Sequence, residues 1–359
     1  MMTNFFSTTD STTRSRLYVI AVRTGVTALA LVVLYLATWA GTAMLLLHHT
    51  NDWIDSQRQD GLHIQHGEPV FHGFPGRITL TFLEINISSP AGWTWAAPTA
   101  RVSTWPMVLN RLSIDLSGVH TLSAPLLTAS AVTIENGRAE IDLHLGANGE
   151  VTNIDLTVSE TAATSEIDGD LIFSMDSGRI HLRPRITKAY SHILTVETFG
   201  LHLPIAPPAP FTPIVQKMAF TAETSGAALS GSLVAALDAW RISGGAVEVH
   251  TFEIVWPPFT AAIAGTAALD DHLQPVGAFS ARLTGFFEVV DALVADGTIE
   301  NKDASMAKIV LGLLARTPPG GGPSELSISI TAQEQRLYAG PVMLMQLPTV
   351  TWPDKNNVR

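Results

Sequence analysis

Ser305-Met306-Ala307-Lys308 is where this chain sets a nucleophile near a base. On a helix, Ser-x-x-Lys puts a hydroxyl beside an amine that could deprotonate it. The Ser-Asp-Asn and Lys-Thr-Gly companions are absent, and an isolated four-residue pattern is weak evidence for catalysis. His63, His66 and His72 could gather a metal ion, but in a strand His63 and His66 face opposite sides. Glu166, Asp168 and Asp170 flank a glycine like a fragment of a calcium loop. The terminal glutamate of such a loop is missing, so a polar turn is the plainer reading. Gly320-Gly321-Gly322 lacks the lysine and strand context of a phosphate loop, and neither Gly-x-Ser-x-Gly nor His-Glu-x-x-His occurs. The absence of cysteine excludes disulfides and thiolate chemistry. The sequence therefore assigns no catalytic, cofactor or metal residue, leaves ligand-binding residues undefined, and reads as a non-enzyme.

What must hold these residues in place begins with Gly25 to Leu47, an apolar run without charge. At about 1.5 Å per helical residue it reaches about 35 Å, enough to cross a hydrocarbon core of about 30 Å. A lipid bilayer is thus an expected partner through residues 25–47. Arg14, Arg16 and Arg23 precede the run and Arg58 is the first basic residue after it. The positive-inside bias puts the tail, 1–24, in the cytoplasm and the body in a bacterial periplasm, as a single-pass inner-membrane protein. A cleaved signal peptide would have a shorter apolar region, of about 7–15 residues.

Setting aside Asp10, Arg14, Arg16 and Arg23 leaves 31 acidic and 18 basic residues of the chain's 32 and 21. That balance argues against nucleic acid and against adhesion to anionic lipid heads. The 46% of hydrophobic residues supplies one large core or two smaller ones.

Residues 48–65 read as a polar helical stalk stopping near Gly61, and 66–203 as a β-rich region of period-two alternation. Asn136-Gly137 predicts a tight hairpin turn, and Asp176-Ser177-Gly178 predicts a turn between two short strands. The five prolines around 204–213 mark a connection to a second β-rich region, 214–359, which also carries helices. Helical spacing predicts a short helix near Leu233 to Trp240, one over Phe286–Ala295 and one over Ala304–Ala315, the last two packing through Val290, Leu293, Ile309 and Leu313. The fold class is mainly β with a few helices (α+β): a transmembrane helix, then a large curled, largely antiparallel sheet. About fifteen strands at about 4.8 Å would span roughly 70 Å, more than three short helices can cover. Such a sheet must fold on itself, split into two, or hold something apolar.

Several phrases carry a resemblance: GFPGRITL (Gly73 to Leu80), GWTWAAP (Gly92 to Pro98), WRISGG (Trp240 to Gly245), LDDHLQPVG (Leu269 to Gly277) and GPVMLMQLPTVTW (Gly340 to Trp352). Together and in this order they resemble DUF2125, a mainly alphaproteobacterial family of uncharacterised function. The resemblance implies an N-terminal anchor and a periplasmic β-rich body. A more distant similarity to AsmA-like envelope proteins, through phrases such as Gln274 to Gly277, implies a β-rich groove associated with lipid. Two functions stay open: an anchored protein that binds lipid or another apolar ligand, and an envelope scaffold with a filled core that binds other proteins.

Overall fold

The computed structural model describes residues 10–90, 92–106, 108–124, 131–146, 149–184, 191–226, 233–318, 321–340, 342–350 and 352. Gly320 and the bond to it therefore lie outside the described residues. The chain opens with one unbroken helix, α1 (Asp10–Gln59). Its portion from Ala21 to Gln59 contains a stretch long and apolar enough to cross a membrane. The helix has two environments. Residues 21–34 are exposed on every side, whereas from Tyr35 a stripe at 3–4 spacing (Trp39, Thr42, Ala43, Leu46, Ile54) turns toward the body. The helix ends before Gly61, and His63 already belongs to a strand.

Strands follow as β1 (His63–Gln65), β2 (Val70–His72), β3 (Ile78–Ser88), β4 (Thr94–Trp105), β5 (Val108–Asp115), β6 (Gly118–Ser123), β7 (Val132–Leu145), β8 (Val151–Ser165), β9 (Leu171–Pro184), β10 (His192–His202) and β11 (Ile214–Ser225). After α2 (Leu233–Ile242) come β12 (Ala246–Trp256), β13 (Phe259–Leu269) and β14 (Pro275–Thr284). The helices α3 (Phe286–Ala295) and α4 (Asn301–Leu314) precede β15 (Leu326–Gln333), β16 (Arg336–Ala339) and β17 (Val342–Gln346). All are antiparallel and join one sheet, each pairing with its sequence neighbour across short connections. Two rungs are shared: β1 and β2 both lie against β3, and β5 and β6 both fill the space between β4 and β7. The proline-rich stretch 204–213 joins β10 to β11 within this same ladder.

Two turns expected from sequence are mid-strand. Asn136-Gly137 lies inside β7, and Asp176-Ser177-Gly178 inside β9. Both sites belong to a transverse crease. Gly137, Glu160, Asp176, Gly200 and Gln216 stand opposite one another on β7 to β11, each flanked by ladder pairs on either side. Glu160 and Gly200 take positive φ, of 50° and 60°. The Glu160 and Asp176 side chains lie across Gly137 and Gly200, leaving no room there for a Cβ. At the crease the alternation slips by one residue, so apolar side chains keep the same face on both sides of it: Ile134 and Ala139 on β7, Val158 and Ala163 on β8, Met175 and Ile180 on β9. A glycine-containing slip of phase reads like a turn in one dimension. In the sheet it is a bend.

The packed core sits at the N-terminal end. There α1 lays Ala43, Leu46 and Ile54 on Ile64, Ile78, Leu80, Phe82, Ile85 and Ala100. At the other end α3 approaches β13 and α4 approaches β15, and the helices pack on each other. Val290 is buried as the sequence suggested, but Leu293 is partly exposed and Ile309 and Leu313 are exposed, Leu313 to 82%. The α4 face that turns inward is Ala304, Ala307, Lys308 and Leu311, an equally regular 3–4 stripe. Lys308 pairs with Asp291 of α3, which fixes that rotation.

Candidate functional site

One row of side chains crosses the sheet in register. It starts at Phe71 opposite Leu80 and Val102, then continues through Ile114, Ile141, Leu156, Ile180, Val196, Phe220, Phe252, Ile263, Ala281 and Ile328. A parallel row one pair away runs Leu112, Leu143, Ile154, Leu182, Leu194 and Ala222. From β5 to β15 the first row crosses ten rungs, about 43 Å at about 4.8 Å per spacing. Every member is apolar because the strand alternation is held in phase across the crease.

Burial changes along this row. Leu80, beneath α1, is fully buried. From Ile114 to Phe252 each residue is only half-buried, and Phe220 meets Phe252 edge to face at 6.3 Å. The chain exposes 23254 Å² in all, against about 14,000 Å² for a compact monomer of this mass. The middle of the sheet therefore forms a wide apolar groove between the end under α1 and the end near α3 and α4. A recess of about 440 Å³ opens on the same face, lined by Leu122, Val132, Ile134, Ala163, Leu171 and Phe173, with Ser165, Asp168 and Asp170 at its rim. That volume falls in the range of small-molecule pockets, roughly 300–1,000 Å³. His120, buried beside this recess and stacked on Trp95 at 5.6 Å, bonds the Leu116 carbonyl through Nε2 and leaves Nδ1 without a hydrogen-bond partner.

The sequence's chemical candidates are not assembled. Ser305 donates its hydroxyl to the Asn301 carbonyl at 2.8 Å, and Lys308 is engaged by Asp291. His63 is exposed on β1 and His72 on β2, while His66 bonds its neighbour's carbonyl and stacks edge-on against Phe82. Glu166, Asp168 and Asp170 form an exposed turn; a hydrogen bond from Ser165 first, then backbone bonds, holds Asp168 below the usual carboxylate range.

A cluster that the sequence did not suggest lies on the opposite face, beside a bulge in β12. Glu223, 2% exposed, accepts the Ser191 hydroxyl at 2.8 Å. His250 stands 3.6 Å from Glu223 and 3.8 Å from Glu248. These three could converge on one cation, and they equally make an ion-paired buried carboxylate. The only sequence cue was the pair Glu248 and His250, two apart on one strand.

The family phrases acquire structural roles. The Gln274 side chain clamps Val350, donating to its carbonyl at 3.1 Å and accepting its N–H at 2.8 Å. Trp352 donates to the Leu273 carbonyl at 2.8 Å. Trp240 lies over Gly245, and Gly73 to Gly76 form a turn against α1. A family model described as uncharacterized protein conserved in bacteria (DUF2125) matches residues 39–348. No curated protein and no solved structure matches the chain.

Proposed function

The chain belongs to the DUF2125 family, and from that premise we propose that it is a membrane-anchored carrier whose sheet holds the acyl part of a lipid. The carrying observation is the continuous apolar row from Ile114 to Ile328, half-buried over β5 to β12 with no helix of the described residues over its middle. Half-exposed aliphatic side chains on this scale form a surface that a protein normally covers. A methylene chain lying along it gains about 0.8 kcal/mol for each buried CH₂. The arginines at 14, 16 and 23, followed by none until Arg58, support a cytoplasmic tail and a periplasmic body at a bacterial inner membrane. The AsmA-like phrasing at Gln274 to Gly277 points to the same kind of groove. The function is binding or passage, with no reaction catalysed. Nucleic acid is no partner, given the acidic balance.

The test is photocrosslinking in membranes. Benzoylphenylalanine in place of Phe220 or Phe252 should yield a lipid adduct by mass spectrometry. Thr266, on the outer face, should give none. Adducts to protein alone at 220 and 252 would instead favour a scaffold whose partner covers this face.

A further inference from the structure

We infer that the turns joining β2 to β3 and β4 to β5 are immersed in the bilayer leaflet on the body's side, so that the apolar row begins inside or just above that leaflet. This rests on α1 being the membrane anchor, as proposed above.

The argument is one of depth. Trp39 on α1 donates its indole N–H to the Gly76 carbonyl at 3.0 Å and meets the Phe74 ring edge to face at 5.3 Å. The Tyr35 hydroxyl bonds the Pro75 carbonyl, and Thr42 donates to the Pro106 carbonyl at 3.2 Å. These contacts lock both turns to a stretch of helix that begins only twelve residues after Arg23. At about 1.5 Å per residue, Tyr35 lies about 18 Å beyond Arg23, Trp39 about 24 Å and Thr42 about 28 Å. If Arg23 sits at one edge of a hydrocarbon slab of about 30 Å, all three contacts fall within it or at its far edge. Residues 25–34, the part of the apolar run free of the body, reach only about 15 Å and cannot span the slab alone. The body must therefore come down to the membrane.

The turns carry the side chains that such a position requires. Phe74 is 59% exposed and Trp105 55%, and Val108 also faces solvent. No acidic residue occurs from Gly73 to Arg77 or from Trp105 to Arg111. Arg77 and Arg111 each follow an apolar tip by three residues, placed to reach phosphates while the tips sit deeper. Tyr35 and Trp39 are the aromatic types that settle at a membrane interface. In this position Leu112, four residues from Val108, brings the start of the groove to about 13 Å from the tip.

The chain has no cysteine, so single cysteines carrying an environment-sensitive fluorophore can be placed in the full-length protein. Phe74→Cys, Trp105→Cys and Val108→Cys are reconstituted in vesicles of phosphatidylcholine and phosphatidylglycerol, with Leu29→Cys reporting the anchor and Thr266→Cys the outer face. Labels at 74, 105 and 108 should be quenched several-fold more by doxyl lipids than by iodide, like that at 29 and unlike that at 266. Lipid quenching at 29 with iodide quenching at all three turns would overturn the inference and leave the anchor standing. Iodide quenching at 29 as well would remove both. Turn labels shielded from both quenchers would show a protein partner in place of lipid, and also overturn it.

Discussion

Leu80 and Leu156 occupy the same row, on the same face of the same sheet, yet one is core and the other is groove. Leu80 lies under α1 with Phe82 and Ala43 and is wholly excluded from solvent, whereas Leu156 stays half-exposed. The residue type, strand alternation and cross-strand neighbours are alike at the two sites. What differs is whether another element of the chain lies over them. An apolar sheet face is thus only a potential core, and its use is decided by the path of the helices.

Substitution should separate the two regions. Leu80→Ala should destabilise the protein by about 2–5 kcal/mol, the range for truncating a fully buried leucine, measured by denaturant unfolding of the solubilised protein. Equal truncation at Ile180, half-buried on the row, should cost about 1 kcal/mol or less, since less area returns to water. Similar losses at both sites would show that the groove is packed as tightly as the core. Leu313→Asp on the outward face of α4 should stay within about 0.5 kcal/mol, as for surface positions away from special features. A large loss there would mean that the α4 rotation is wrong.

The smallest effect concerns charge. Glu140 on β7 accepts hydrogen bonds from Arg138 and from Ser113, the latter at 2.7 Å, and these lower its pKa despite partial burial. A carboxyl whose folded pKa is depressed stabilises the protein above its unfolded pKa, and that contribution is lost as pH falls through the folded value. Glu140→Gln should therefore reduce stability slightly near neutral pH and flatten its fall below about pH 4.3, the unperturbed glutamate value. An unchanged acid limb would assign the acid sensitivity elsewhere, for instance to Asp115. There burial raises the pKa, but bonds from Ser117 and from Arg101 outweigh it.

Much of this fold was legible because it is written in period two. Strands such as Ile78–Ser88 and the stripe of α3 follow from their own residues. The crease was not legible, because Asn136-Gly137 and Asp176-Ser177-Gly178 have turn chemistry, and only neighbours on both sides show that β7 and β9 continue through them. On α4, two apolar stripes compete, and a pairing with α3 decides between them. The groove was visible as an excess of apolar strand over available cover. Its position was not, since that depends on where α1 lies down. GFPG could be read only as a bend, because its contacts with Tyr35 and Trp39 join residues nearly forty apart.

The central claim is that the uncovered half of the row holds lipid. Native mass spectrometry of the full-length protein, released from mild detergent, tests it most directly, with Leu156→Glu as the comparison. The account predicts a bound mass of a membrane lipid on the native chain and its loss from the variant at retained β-structure. A native chain that flies free of lipid would contradict the account and leave the scaffold reading in its place.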